Sequence, residues 1–230
     1  GNPQNLFLYA HYNYSAGRFF CVMALPCLLS LAYIGVLIYR RMDAPLTLTL
    51  PSLPRPERRT TLVLLALLLV NIAAVLHVLP KLWALGVTLA AVLLLNRRLL
   101  LAADYSLLLT FIGFFIFIGN ISHTSIASYL QSSLLGTAAG TYLAALLSSQ
   151  FISNVPAAML LAGLTQEADA LLLGVNIGGL GTMIASMASV ISYKLFVAEQ
   201  PTLAGRYLRT FLYYNFAGLL LIGGLVYCII

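Results

Sequence analysis

The sequence predicts an all-α, polytopic membrane protein that contains one re-entrant hairpin and one broken helix. Of its 230 residues, 61% are hydrophobic and 8% are charged, and the mean hydropathy is +0.98. A soluble domain carries about 25% charged residues, and a soluble chain of this length could not bury so much apolar surface. Long apolar stretches predict the membrane spans. Polar or glycine-rich interruptions within two of these stretches predict the hairpin and the broken helix.

Uninterrupted apolar stretches predict membrane spans, because a spanning helix needs about 20 mostly apolar residues. They are 18–39, 61–79, 82–96, 104–119 and 207–230. The interval 40–60, RRMDAPLTLTLPSLPRPERRT, holds four prolines and five arginines. It predicts an aqueous cytoplasmic linker, taken as 42–60, between two parts of a helix bundle. Docking of a partner on its PxxP stretch is the alternative.

The distribution of Lys and Arg predicts the orientation of the spans. If 40–60 lies in the cytoplasm, ten of the 12 basic residues fall inside, and only Arg18 and Lys81 fall outside. This bias requires that the tract 120–166 enters the membrane and leaves it on the same, outer side. If the tract crossed the membrane once, seven basic residues would lie inside and five outside. The basic residues therefore flank spans, and the net charge of +6 does not indicate nucleic-acid binding.

Polar residues interrupt the apolar tract 137–164 and predict the tip of a re-entrant hairpin. Residues 137–151 as a helix would rise roughly 22 Å, which is short of the ~30 Å hydrocarbon core. The tract then continues as Ser153-Asn154-Val155-Pro156. Non-helical backbone at membrane depth occurs where protein or a water-filled cavity covers it. We therefore expect this tip to face a cavity.

A glycine-rich stretch predicts a broken helix within the apolar tract 168–196. Residues 174–189 read GVNIGGLGTMIASMAS, and each of the four glycines lowers helix stability by about 1 kcal/mol relative to Ala. Close packing of helices through small residues is the alternative. At a break, helix N-terminal ends favour anions, whereas freed carbonyls and C-terminal ends favour cations. A hairpin tip beside a broken helix can therefore bind both.

Four stretches together resemble the ion transporter superfamily, which includes divalent anion–sodium symporters, citrate carriers, arsenite efflux permeases and a sodium/proton antiporter branch. SNVP is similar to the family's hairpin-tip signature, and GVNIGGLGTMIAS to its second broken-helix signature. GNPQN resembles the equivalent loop of the first half, and ADYSLLLTFIGFFIFIG the span before the second hairpin. These stretches are 153–156, 174–186, 1–5 and 103–119.

The resemblance implies two inverted repeats, each with a re-entrant hairpin and a broken helix. In that frame, 1–41 is the end of the first repeat, 42–60 the linker and 61–230 the second repeat. Most of the first repeat is then missing, which predicts either a fragment or a partner that supplies it. The family also implies a homodimer surrounded by lipid in the cytoplasmic membrane of a prokaryote.

The resemblance also assigns roles to individual residues. Substrate contacts are implied for Ser153, Asn154, Ser186, Asn2, Pro3 and Asn5. Cation contacts are implied for Asn154, Asn176, Gly178, Gly179 and Thr182, with sodium as the expected ion.

Two departures from the family pattern concern the substrate. Dicarboxylate carriers of the family often have Thr where Val155 stands, and Val155 removes a hydroxyl that could bind a carboxylate. A GSPAN-like run appears here as ASMAS, residues 185–189. These differences leave the choice between a carboxylate and an inorganic oxyanion open.

The leading hypothesis is a secondary active transporter that moves a small anion, such as citrate, a dicarboxylate or an inorganic oxyanion, with a cation by alternating access. A structural or assembly half-subunit, a sodium/proton antiporter of the same superfamily and a channel are the alternatives. No carboxylate is predicted at mid-membrane, which disfavours proton antiport through buried acids.

An enzyme is not expected, because no His lies in either interrupted tract to activate Ser153 as a nucleophile. The cysteines, at 21, 27 and 228, form no CxxC pair, which predicts neither a zinc site nor a disulfide framework. A bound sodium ion is the one cofactor that the family implies.

Overall fold

The computed structural model describes residues 3–40, 57–101, 105–121 and 124–230. Every regular element in these parts of the chain is helical. The α-helices are α1 (Pro3–His11), α2 (Ala16–Tyr39), α3 (Arg58–Val75), α4 (Lys81–Asn96), α5 (Arg98–Leu101), α6 (Tyr105–Ile121), α7 (Ser125–Ser133), α8 (Ala138–Ile152), α9 (Asn154–Ala162), α10 (Ala168–Ile177), α11 (Met187–Glu199) and α12 (Ala204–Tyr227). Short 3₁₀ helices cover Met183–Ala185 and Pro201–Leu203.

Within the described residues, three helical segments are long and apolar enough to cross a membrane: Ala16–Tyr39, Arg58–Val75 and Pro201–Tyr227. They overlap three of the predicted spans and confirm, for the described residues, an all-α fold with three candidate membrane-spanning helices. Large apolar side chains on these helices are exposed, such as Leu31 at 67% and Leu220 at 75%. Lipid accounts for this exposure, since such surface is costly in water.

Two predicted spans correspond to shorter helices. α4 has 16 residues and α6 has 17, fewer than the ~20 that a perpendicular span needs. The predicted span 61–79 also ends early, because α3 stops at Val75. His77 has a φ of 60° and Pro80 restricts the residue before it to extended conformations, so the helix cannot continue to position 79.

The described residues form two compact units, one from 3–40 with 110–230 and one from 57–101 with 105–109. In the second unit, α3 packs against α4, and the Asn71 amide donates to Thr88 Oγ1 at 2.9 Å. Most of the predicted linker 42–60 lies outside the described residues, and α3 already begins at Arg58. The division into repeats and linker stays a prediction.

The core of the first unit is built from α1, α8, α9 and α10. Small residues allow the closest approach, between α8 and α10. A Cβ on Gly174 would lie 2.6 Å from the Tyr142 carbonyl oxygen and 2.7 Å from Ala145 Cβ, so only glycine fits at this crossing. On the other side of α8, the buried Tyr142 hydroxyl donates to the Gly223 carbonyl of α12 at 2.9 Å.

The chain folds back on itself between α8 and α9. Thr141 near the start of α8 and Thr165 after the end of α9 lie side by side, with their hydroxyl oxygens 3.0 Å apart. Both hydroxyls are also within hydrogen-bond distance of the Leu135 carbonyl, at 3.1 and 2.9 Å. Residues 137–164 therefore form a helical hairpin that returns to its starting point; its re-entrant position in a membrane stays a prediction.

Two contacts fix the direction of α1. At its start, Asn5 Oδ1 accepts a 2.7 Å hydrogen bond from Asn176 near the end of α10. Beyond its end, the Tyr14 hydroxyl donates to Asp169, near the start of α10, at 2.6 Å. α1 is thus antiparallel to α10 and parallel to α9, and His11 Nε2 lies 3.2 Å from the carbonyl of Ala162, the last residue of α9.

Candidate functional site

Helix ends of both polarities meet around Gly179. α8 and α10 bring their C-terminal ends to this point, and α1, α9 and α11 bring their N-terminal ends. A Cβ placed on Gly179 would lie 3.0 Å from Asn154 Nδ2, 3.2 Å from the Asn176 carbonyl oxygen and 3.7 Å from Ser186 Cβ. The absent side chain of Gly179 therefore lets the hairpin tip approach the break that follows α10.

The helical hydrogen bonds of the predicted broken helix stop after α10. Residues 178–182 are not helical, Met183–Ala185 is a 3₁₀ helix and α11 starts at Met187. Gly181 has a φ of 102°, a conformation that glycine adopts without steric cost. Ser186 is extended and its hydroxyl accepts from the Ala188 amide at 3.3 Å. The glycine-rich stretch thus forms a break where the sequence predicts one.

Ser153 at the hairpin tip has an unusual backbone conformation. Its φ of 72° and ψ of 153° lie in a region that is essentially restricted to glycine and costs on the order of 1–3 kcal/mol for other residues. Its hydroxyl does not cap α9, and Oγ is buried without a hydrogen-bond partner. Strain combined with an unpaired polar atom is typical of a binding site rather than a structural turn.

Asn154 follows as the first residue of α9 and is only 2% exposed. Its Oδ1 is buried and unpaired. Among the described residues, the buried side-chain nitrogen or oxygen atoms without a partner belong to Asn154, Ser153 and Gln4. Because a buried unpaired polar group costs about 1–3 kcal/mol, their common location at converging helix ends indicates a ligand site.

Gln4 carries the other two unpaired atoms, and the sequence analysis did not identify it. It lies in the first turn of α1, is fully buried, and neither Nε2 nor Oε1 has a partner. The neighbouring positions, 3 and 5, were predicted to contact substrate because they match a family motif. No pattern in the sequence distinguishes the paired amide of Asn5 from the unpaired amide of Gln4.

Gln150 is a second residue that the sequence analysis missed. Its Nε2 donates to the carbonyls of Gly178 at 2.8 Å and Leu180 at 3.0 Å. Its Oε1 accepts from the Thr182 amide at 3.0 Å, and the Thr182 hydroxyl donates to the Gln150 carbonyl at 2.9 Å. One glutamine of α8 therefore bonds to three residues of the unwound stretch, Gly178, Leu180 and Thr182.

The structure brings together most of the predicted site residues. Pro3 begins α1, and Asn5, Asn154, Asn176, Gly179 and Ser186 all lie at the converging helix ends. The Gly178 carbonyl and the Thr182 hydroxyl point instead toward Gln150. Asn2 lies outside the described residues. The binding roles of all these residues stay predictions.

The polar side chains of this cluster are all uncharged, namely those of Gln4, Asn5, Gln150, Ser153, Asn154, Asn176 and Ser186. Helix ends therefore supply the electrostatics: N-terminal ends attract anions, and C-terminal ends attract cations, by typically 0.3–1 kcal/mol each at exposed sites and up to about 2 kcal/mol when partly buried. Amide, hydroxyl and carbonyl oxygens suit sodium. No group of His, Cys, Asp and Glu among the described residues could hold a metal ion.

A groove beside the cluster, between α2 and α10, has a volume of about 430 Å³. Met23, Leu31, Ile34 and Leu180 are among its lining residues, and Asn176 reaches it. An apolar wall of this kind does not replace the water around an anion. The polar cluster is therefore a better candidate for an anion site than the groove.

The opposite end of α1 carries a separate polar cluster. Asp169 accepts from the Tyr14 hydroxyl and forms a 3.0 Å ion pair with Arg18. The Tyr12 hydroxyl donates to the Thr165 carbonyl at 2.9 Å. Burial raises the pKa of Tyr12 to about 12. The pKa of Tyr14 is also raised, mainly by burial and to a lesser extent by its hydrogen bond to Asp169. These contacts attach α1 to the start of α10.

Apolar helices long enough to span a membrane, together with interrupted helices that meet around a polar, uncharged cluster, are typical of an integral membrane protein. Residues 1–192 match the citrate transporter (CitMHS) family, and the chain belongs to that family. This confirms the resemblance to citrate carriers that the motifs indicated.

Two curated relatives agree with this family. The chain is 33% identical over 229 residues to an uncharacterized transporter of Methanocaldococcus jannaschii, covering 99% of this chain and 58% of that protein. It is 29% identical over 210 residues to the inner membrane protein YbiR of Escherichia coli K12, covering 85% of this chain and 53% of that protein. The chain thus spans a little over half the length of these relatives. No solved structure matches it.

Proposed function

We propose that the protein is a secondary active transporter that moves citrate or a related small anion together with sodium by alternating access. The observation that carries this proposal is the convergence of three helix N-termini and two helix C-termini on Gly179, beside the unpaired atoms of Ser153 and Asn154. Membership of the citrate transporter family supports an anion of that chemistry.

The arrangement of helix ends supports the co-binding of two ions of opposite charge. Backbone N–H groups at the starts of α9 and α11 are donors for an anion. Freed carbonyls at the end of α10 and the Asn154 Oδ1 are acceptors for sodium. Bound sodium would compensate the negative charge of the anion without any Arg or Lys, so each ion strengthens the binding of the other.

The strained tip supports a coupling of binding to movement. Ser153 holds a conformation that costs on the order of 1–3 kcal/mol, and ligands that pair with Ser153 Oγ and Asn154 Oδ1 would offset this cost. The occupied site and the empty site would then favour different positions of the hairpin formed by α8 and α9. A ligand shifts such an equilibrium only by its differential affinity for the two states, and the unpaired atoms supply that difference.

The test is uptake of labelled citrate by the full-length protein in proteoliposomes, with and without an inward sodium gradient. We expect sodium-dependent uptake in the wild type and a loss of more than about tenfold in Asn154→Ala, since the loss of an oxygen ligand of sodium that contributes about 1.4 kcal/mol or more weakens binding by about tenfold or more. The folded variant should keep its unfolding temperature, because Asn154 Oδ1 has no partner to lose within the protein.

The matched control is Asn215→Ala. Asn215 lies in α12, and its amide donates to the Phe211 carbonyl of its own helix at 2.9 Å. Uptake by this variant should stay close to that of the wild type. Sodium-independent uptake in the wild type would refute the coupling, and normal uptake by Asn154→Ala would remove the hairpin tip from the mechanism. Uptake of arsenite or phosphate in place of citrate would assign an inorganic oxyanion as the substrate.

A further inference from the structure

Gln4 is the one residue of the cluster whose side chain lacks partners at both ends. Its residue exposure is 0%, and both the amide nitrogen, a donor, and the amide oxygen, an acceptor, are buried and unpaired. Asn5, the next residue, is paired with Asn176 at 2.7 Å. Gln4 thus offers one free donor and one free acceptor that are fixed about 2.2 Å apart by the geometry of a carboxamide.

The position of Gln4 places it at the same end of the bundle as the hairpin tip. α1 and α9 are parallel, pack together and have nine residues each. His11, seven residues after Gln4, reaches Ala162, eight residues after Asn154. At 1.5 Å per residue, Gln4 and Asn154 therefore lie at about the same height along the two helices.

The chemistry of a free donor beside a free acceptor defines the ligand that fits it. The proposed function places sodium at Asn154 Oδ1 and the end of α10, so a carboxylate alone, which only accepts hydrogen bonds, would leave Gln4 Oε1 unpaired. An inorganic oxyanion without a proton has the same limitation. A molecule that carries a hydroxyl next to a carboxylate satisfies both ends, because the carboxylate accepts from Nε2 and the hydroxyl donates to Oε1.

From this complementarity we propose that Gln4 is a specificity-determining residue that binds the hydroxyl and the adjacent carboxylate of a hydroxycarboxylate. This inference rests on the proposed function and narrows its substrate class. Protein sites that hydrogen-bond a substrate hydroxyl discriminate strongly against the analogue that lacks it, since their buried polar group is then left unpaired.

The experiment compares citrate with tricarballylate, which is citrate without its hydroxyl, in sodium-driven proteoliposomes of the full-length protein. Wild type should prefer citrate, measured as the ratio of the two inhibition constants against labelled citrate, by about tenfold or more. Gln4→Met keeps the length of the side chain and removes both polar atoms. We expect it to bind citrate more weakly and to lose the preference, with the ratio falling close to one.

Two further variants make the result specific. Gln166→Met changes an exposed glutamine after α9 and should keep the wild-type ratio. Gln4→Asn keeps the carboxamide but withdraws it by one methylene, so it should reduce the preference for citrate even if Gln4→Met does not assemble. A purely structural amide would lower the unfolding temperature when removed; an unpaired one should leave it unchanged or raise it.

The outcomes separate this inference from the proposed function. Citrate uptake with the same citrate-to-tricarballylate ratio in wild type, Gln4→Met and Gln4→Asn would overturn the role of Gln4 and leave the transporter proposal intact. A wild type that transports no carboxylate under a sodium gradient would overturn both.

Discussion

The side-chain amide of Gln150 in α8 binds the main-chain carbonyl of Gly178, just beyond the end of α10, with an N–O distance of 2.8 Å. The same nitrogen reaches Leu180, and the amide oxygen accepts from Thr182. The Gln150 side chain therefore joins the hairpin to the unwound stretch, in addition to the crossing of α8 and α10 at Gly174. Any movement of the hairpin that leaves these bonds intact must carry the break with it.

Gln150→Met should loosen the break. The substitution leaves two carbonyls and one amide of the unwound stretch without their partner, and each such loss costs about 1–3 kcal/mol where the group is buried. We expect a lower unfolding temperature in detergent and a weakened sodium dependence of uptake. Gln131→Met, which alters an exposed glutamine of α7, is the control. Equal stability of the Gln150 and Gln131 variants would contradict the joint between α8 and the break.

Ser153→Gly should be more stable than Ser153→Ala. Glycine relieves the backbone cost at φ 72° and ψ 153°, so it should raise the free energy of unfolding by about 1–3 kcal/mol. Alanine keeps that cost while removing the same hydroxyl. Both variants should lose affinity for the transported ions, because both lack Oγ. If the two variants show the same stability, the conformation at the tip is not strained.

Gly174→Ala should weaken the crossing of α8 and α10. The added methyl group would lie 2.6 Å from the Tyr142 carbonyl oxygen, and such overpacking costs typically 1–3 kcal/mol. Gly224→Ala in α12 is the matched control, because a Cβ there would meet nothing within 4 Å. It should be neutral or stabilise the helix by up to about 1 kcal/mol. The measurement is the midpoint temperature of thermal unfolding of both variants in detergent. Equal midpoints would refute the close crossing of α8 and α10.

The interruptions of the helices were predictable because they depend on local composition. A Ser-Asn-x-Pro run inside an apolar tract, and four glycines within eight positions, disfavour a continuous helix wherever they occur. The spans follow from the same local information. Their exact ends do not, as α3 shows: it stops at Val75 because His77 turns out of the helix.

Contacts between distant residues were not predictable in this way. Gln150 and the break are about thirty residues apart in the sequence, and Asn5 and Asn176 are 171 apart. Nothing in the sequence shows that the amide of Asn5 is paired whereas that of Gln4 is not. The sequence also does not reveal a backbone conformation typical of glycine when another residue adopts it, as Ser153 does.

Alkaline pH should destabilise the attachment of the segment after α1 to the turn between α9 and α10, where the Tyr12 hydroxyl donates to the Thr165 carbonyl. Burial raises the pKa of Tyr12 from about 10 to about 12, so the folded state keeps its proton where the unfolded state loses it. The stabilisation is complete below pH 10 and is lost as the pH rises from 10 to 12. The slope should be below about 1.4 kcal/mol per pH unit, since Tyr12 is only partly buried and solvent screens it.

Tyr12→Phe tests this assignment, because phenylalanine has no proton to lose. Urea unfolding in detergent at several pH values between 8 and 12 should show a smaller alkaline loss of stability than in the wild type. Part of the loss should remain, because Tyr14 also has a raised pKa. Tyr39→Phe, at an 84% exposed position, should retain the full wild-type slope. Identical slopes for wild type and Tyr12→Phe would rule out Tyr12 as the titrating group.

The bond between Asn5 and Asn176 should couple α1 to the break energetically. Asn176 also donates to the Leu172 carbonyl of its own helix, so Asn176→Ala alone removes two interactions. A double-mutant cycle with Asn5→Ala isolates the pair. We expect a coupling of about 1 kcal/mol in the free energy of unfolding and non-additive effects on the sodium dependence of uptake.

The pair of Asn71 and Thr88, 2.9 Å apart in the second unit, provides the matched cycle. Asn71→Ala and Thr88→Ala should also have non-additive effects on the free energy of unfolding, since the bond links α3 to α4. Neither substitution should change the sodium dependence of uptake. That contrast separates a bond at the ion site from a bond that only joins two helices. If the effects of Asn5→Ala and Asn176→Ala on sodium dependence add within about 0.5 kcal/mol, the two residues act independently and α1 does not share the site with α10.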